Sequence, residues 1–171
     1  ALSTRMFSGR DPGLSGVQGC AMGESWSDLN ATEYLNATGV AGSTGADPYS
    51  AGAYATNNKI SAIRDYNLLR NPLMYGDIGF DSTGPEVHAD GEIWNGVQMH
   101  VRQELINAYN AKGIKASDRQ LQLSCAFGTD YKRKGAPMSG FEGCPGNRRW
   151  IQYIYDAWLL QANGSPSYVD M

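Results

Sequence analysis

Apolar residues along this chain fall into blocks of helical spacing, separated by stretches dense in glycine and proline. The first block, residues 13–35, places Val17, Ala21, Trp26, Leu29 and Leu35 with few breakers after Gly23. Small and apolar side chains occur on more than one face, which predicts a helix that is well buried. Residues 39–53 carry five Gly or Pro residues and no periodicity, the mark of a loop. Residues 58–83 are irregular, with Ile60, Ile63, Leu68, Leu69 and Met74 apolar and turns at Asn71-Pro72 and Tyr75-Gly76-Asp77.

The strongest helical pattern covers 85–111. Pro85 suits a first turn, Glu86 follows where a helix dipole favours an acid, and Gly113 ends the run. Val87, Gly91, Trp94, Val101, Leu105 and Tyr109 keep the spacing between those limits. Residues 118–123 predict the start of a further helix, and the glycines of 126–146 predict loop. A last helix is expected over 147–161, with Trp150, Ile151, Ile154, Trp158 and Leu159 on one broad face and Asn147 as its N-cap. No internal repeat or hairpin pattern stands out. The expected fold is mainly α: a helical bundle of three long helices with long loops, forming one domain over 1–171.

Composition narrows the function classes. Apolar residues make up 42% and charged residues 18% of the 171, which is globular and not disordered. A net charge of −3 gives no electrostatic case for nucleic acid or an anionic membrane surface. No apolar run approaches the roughly 20 residues that span a bilayer. No signal-peptide pattern opens the chain, and both ends read as cuts in a longer protein. Cys125 and Cys144 flank a loop rich in Gly, Lys and Arg, and an oxidising compartment would favour their pairing as a disulfide. Cys20 would then remain as a small buried helix residue. In a reducing compartment all three stay thiols, and spacing does not choose between the two. Sequons at Asn30, Asn36 and Asn163 matter only in a glycosylating secretory route.

Two constellations carry candidate chemistry. Glu24 and Asp28 are four residues apart, hence on one helix face, among Ala21, Met22, Trp26 and Leu29. Burying such a pair requires a cation or strong donors nearby. From periodicity alone, a surface pair capped by solvent or an arginine is the commoner case. The second constellation is His88 beside Glu86, Asp90 and Glu92 at the start of the strongest helix. Such a histidine is either a tuned general acid or electrostatic donor, or a helix-start residue satisfied by a local carboxylate. His100, amid Gln98, Arg102 and Gln103, reads as a surface residue.

Together these segments resemble the fungalysin metallopeptidases, thermolysin-like relatives within the gluzincins. Residues 19–28, Gly-Cys-Ala-Met-Gly-Glu-Ser-Trp-Ser-Asp, resemble the family's metal-binding glutamate helix. Residues 86–94, Glu-Val-His-Ala-Asp-Gly-Glu-Ile-Trp, resemble its later zinc-facing helix. Ser3-Thr4-Arg5-Met6 is similar to the segment after the family's His-Glu-Xaa-Xaa-His motif, and residues 144–152 to a helix of bacterial members. The resemblance implies the helical C-terminal part of a catalytic domain.

It also implies a secreted zinc metalloendopeptidase that hydrolyses internal bonds of protein or peptide substrates with a zinc-activated water. In that picture Glu24 is a zinc ligand, Asp28 orients a ligand histidine, and His88 donates to the developing oxyanion. Arg64 is matched to an arginine that binds the substrate carbonyl. The sequence holds only His88 and His100 and no His-Glu-Xaa-Xaa-His, so two ligands and the general base are expected from a preceding part of the domain. This chain alone is expected to bind zinc weakly and to be inactive. The competing reading is a non-catalytic helical module that binds a partner or peptide through the old cleft.

Overall fold

A computed structural model describes residues 3, 14–40, 45, 47–58, 62–126, 132–133, 136–137, 143–161 and 166–171. Thr4-Arg5-Met6, Gly13, Ile60 and Asn163, all used in the sequence reading, lie outside the described residues. The fold is mainly helical, as expected. Its elements are α1 (Val17–Thr38), α2 (Ala53–Thr56), α3 (Val87–Ala111), α4 (Arg119–Ala126) and α5 (Gly146–Leu160). Short 3-10 turns lie at Leu68–Arg70 and Tyr75–Asp77. Within the expected loop 126–146, β1 (Lys132–Arg133) and β2 (Ala136–Pro137) pair antiparallel. Two-residue strands are too short to leave a period-2 signature, so the sequence pattern does not show them.

The chain divides into two compact units, one of Ala1–Met99 with Tyr155–Met171 and the other of His100–Ile154. The first contains α1, the N-terminal half of α3 and the end of α5. Its core is Met22, Trp26, Leu29, Leu68, Ile93, Met99 and Trp158, each almost fully buried. Trp26 and Trp158 meet edge to face at 5.2 Å, and Trp94 stacks on Tyr168 at 5.6 Å. α1 begins after Gly16 and ends at Gly39, whose φ of 74° is the left-handed conformation that suits a glycine cap. α1 buries small and apolar residues on several faces, because α3 lies close against it at Gly91. A Cβ built on Gly91 would stand 2.8 Å from the Ala21 carbonyl oxygen.

Three polar anchors tie residues 62–84 to α3. Glu92 accepts the amides of Asp65 and Tyr66 at 2.9 Å each, Asn71 donates to the Glu92 carbonyl at 2.6 Å, and Gly79 donates to Asp90 at 2.7 Å. These anchors give a segment without α-helix or strand one defined path.

The second unit packs Ile106, Ile114, Leu121, Trp150, Ile151 and Ile154. Cys125 and Cys144 are disulfide-bonded. The α5 helix starts at Gly146, one residue before the expected boundary, where Gly146 sits against the Leu105 backbone. The Asn147 side chain is paired with Gln122, which donates to it at 2.8 Å and accepts from it at 3.1 Å. Cys20, the remaining cysteine, is half-buried on α1 and donates to the Leu14 carbonyl at 2.7 Å.

Candidate functional site

The i, i+4 spacing on α1 puts Glu24 and Asp28 side by side, and the structure gives them different surroundings. Asp28 is buried, whereas the Glu24 side chain is 40% exposed. The cation that the pair requires is Arg64. Its Nε donates to Asp28 Oδ2 at 2.7 Å and its second terminal nitrogen to Asp28 Oδ1 at 3.2 Å, a two-pronged contact. The same nitrogen reaches Glu24 Oε2 at 3.5 Å. The arginine side chain is only 8% exposed. Burial alone would lower its pKa, but the bond to Asp28 and the charges of Asp28, Glu24 and Glu92 hold it above the ordinary value.

His88 approaches from α3. Its Nε2 lies 3.4 Å from Glu24 Oε2, and its Nδ1 lies 2.6 Å from Glu86 Oε1. Glu86 is the N-cap of α3: its Oε2 accepts the amides of His88 and Ala89 at 2.8 and 2.9 Å. The Ala89 amide, then the His88 side chain, hold the Glu86 carboxyl below the usual carboxylate range. Nδ1 faces Glu86 and Nε2 faces Glu24, so the imidazole stands between two carboxylates. Thus Glu24, Asp28, Arg64 and His88, drawn from three separate segments, stand in one cluster on the first unit. His100 is exposed and takes no part.

Two further residues support the cluster: Asn95, which the sequence pattern did not single out, and Glu92, which it placed only beside His88. Asn95 is buried, donates to Asp28 Oδ2 at 3.0 Å and accepts from the Ser25 hydroxyl at 2.7 Å. Glu92, also buried, holds the two amides that follow Arg64. The signal was available: His88, Glu92 and Asn95 stand at i, i+4 and i+7, a polar stripe on an otherwise buried helix face.

The fungalysin metallopeptidase (M36) family model matches residues 1–171. The chain belongs to that family. Neither a curated protein nor a solved structure matches it. The family is one of peptidases, which act on protein or peptide.

A fungalysin needs a metal, and the cluster bears on whether these residues fit one. Glu24 Oε1 accepts no hydrogen bond among the described residues, and the contacts of Oε2 are long, so this carboxylate keeps lone pairs for a ligand role. Asp28 instead has both oxygens engaged by Arg64 and Asn95. No group of three or more His, Cys, Asp or Glu that could hold a metal ion occurs among the described residues. The donor set therefore fits one corner of a zinc site, not a whole one. Among the described residues no helix is long and apolar enough to cross a membrane.

Proposed function

We propose that this chain is the helical C-terminal part of the catalytic domain of a secreted zinc metalloendopeptidase, in which Glu24 is a metal ligand. Residues 1–171 act as one partial domain, completed by a His-Glu-Xaa-Xaa-His segment that supplies two histidine ligands and the general base. When bound, zinc supplies Lewis-acid polarisation of the scissile carbonyl and lowers the pKa of a coordinated water.

The chain's own residues do the rest. Glu24 presents a carboxylate with free lone pairs, and Arg64 stands beside it at 3.5 Å without covering it. Asp28, buried and clamped, orients the neighbouring ligand histidine and raises its basicity. His88, held at Nδ1 by Glu86, turns Nε2 toward the face where an oxyanion develops and donates to it from there. Arg64 binds the substrate carbonyl through its other terminal nitrogen, which has no hydrogen bond among the described residues.

The observation that carries this reading is the meeting of Glu24 with both His88 and Arg64 at 3.4 and 3.5 Å in a chain matched throughout by a metallopeptidase family. The test is casein hydrolysis by the complete domain with and without 1,10-phenanthroline. Activity that chelator abolishes and zinc restores is expected. Activity indifferent to chelator, or none in a folded domain loaded with zinc, contradicts the reading.

A further inference from the structure

Arg64 lies in a segment with no helix or strand to hold it, yet its guanidinium meets Asp28 in a two-pronged contact that tolerates little displacement. The side-chain bonds alone do not fix where the backbone of an irregular segment runs. Glu92 on α3 does. Its two carboxylate oxygens accept the amides of Asp65 and Tyr66, one each, at 2.9 Å. These are the two peptide groups immediately after Arg64. Glu92 is 3% exposed, so its charge is buried to serve two backbone amides and not solvent. Burial pushes the Glu92 carboxyl up, and the two amides offset part of that cost.

The other end of the arginine is held from the same helix. Asn95, three residues on, donates to the Asp28 oxygen that accepts Arg64 Nε. Asn71 donates to the Glu92 carbonyl, which brings the following turn onto the same point of α3.

We propose that Glu92 is a positioning residue: it grips the backbone after Arg64 so that the guanidinium is preorganised against Asp28 and Glu24, and it touches neither substrate nor metal. This rests on the peptidase reading above, through the role given there to Arg64. Preorganisation of a charged group is where a misplacement of about 1 Å costs around 100-fold in rate.

The experiment is a double-mutant cycle in the complete zinc-loaded domain, with an internally quenched peptide as substrate. Glu92→Gln keeps the shape but accepts only one of the two amides and turns an NH2 toward the other. It is expected to lower kcat/KM about 10-fold or more with zinc content unchanged. In an Arg64→Ala background the same substitution is expected to cost almost nothing further, because its effect passes through Arg64. A purely structural role would cost the same factor in both backgrounds, and that result overturns the proposal. So does an unchanged kcat/KM in Glu92→Gln.

If Glu92→Gln fails to fold, Glu92→Asp, which keeps the carboxylate, carries the same cycle with the same criteria. A second readout needs no activity. In the zinc-free complete domain, the Arg64 Nε–H proton is expected to exchange slowly with solvent and to lose that protection in the folded Glu92 variant. Retained protection contradicts the clamp. A wild-type domain without chelator-sensitive hydrolysis would sink the peptidase reading, while the exchange result would still judge the clamp.

Discussion

Glu86 does two things with one carboxylate: one oxygen closes the first turn of α3 and the other holds the Nδ1 side of His88. Its carboxyl sits below the usual range because the Ala89 amide and then His88 favour the charged form. A carboxylate with a depressed folded-state pKa contributes stability above its unfolded value, and that contribution is lost as pH falls through the folded value. Replacing Glu86 by alanine should therefore cost about 1 kcal/mol at pH 7, the usual size of a lost cap, and the deficit should shrink at pH 3. Urea denaturation at the two pH values measures it. An equal deficit at both would show that the charge on Glu86 contributes nothing. The local character of this site made it legible, since the histidine and its acid are two residues apart. Glu92 was not legible in the same way, because its partners are backbone amides 27 and 26 residues away and carry no side-chain signature.

At the level of elements, the site depends on how closely α1 and α3 approach. Gly91 stands at that approach, with no room for a Cβ against the Ala21 carbonyl. Helix propensity favours Gly91→Ala by about 1 kcal/mol, but overpacking against a backbone atom costs about 1–3 kcal/mol. Net destabilisation is expected, together with reduced hydrolysis, because moving α3 carries His88 away from Glu24. Denaturation midpoint and kcat/KM of the complete domain check both. A stabilised variant would mean that the helices have room to spare.

Helix existence was readable because α1, α3 and α5 each repeat apolar residues over many turns, and glycine caps such as Gly39 mark their ends. Starts were less readable. Pro85 and Glu86 precede α3 as flank and cap instead of forming its first turn, and α5 opens at Gly146 because only glycine fits against the Leu105 backbone. In residues 62–84 the turn at Tyr75-Gly76-Asp77 was readable, but the path against α3 was not, since hydrogen bonds to α3 set it and periodicity does not.

Across the whole molecule, the chemistry of the fungalysin reading gathers on the first compact unit, where α1 contributes Glu24 and Asp28, α3 contributes His88, and the segment between contributes Arg64. Among the described residues Glu24 has one oxygen with no hydrogen bond, whereas both oxygens of Asp28 are engaged, so the account places metal binding on Glu24 and not on Asp28. The measurement that bears on this most directly is the zinc content of the complete domain, by mass spectrometry after dialysis, for the wild type and for Glu24→Gln. The account predicts about one zinc per molecule in the wild type, as a catalytic site of three protein ligands and an open position holds. In a folded Glu24→Gln domain it predicts that most of the metal is lost, and with it chelator-sensitive hydrolysis. A Glu24→Gln domain that keeps its zinc and its activity would contradict the account.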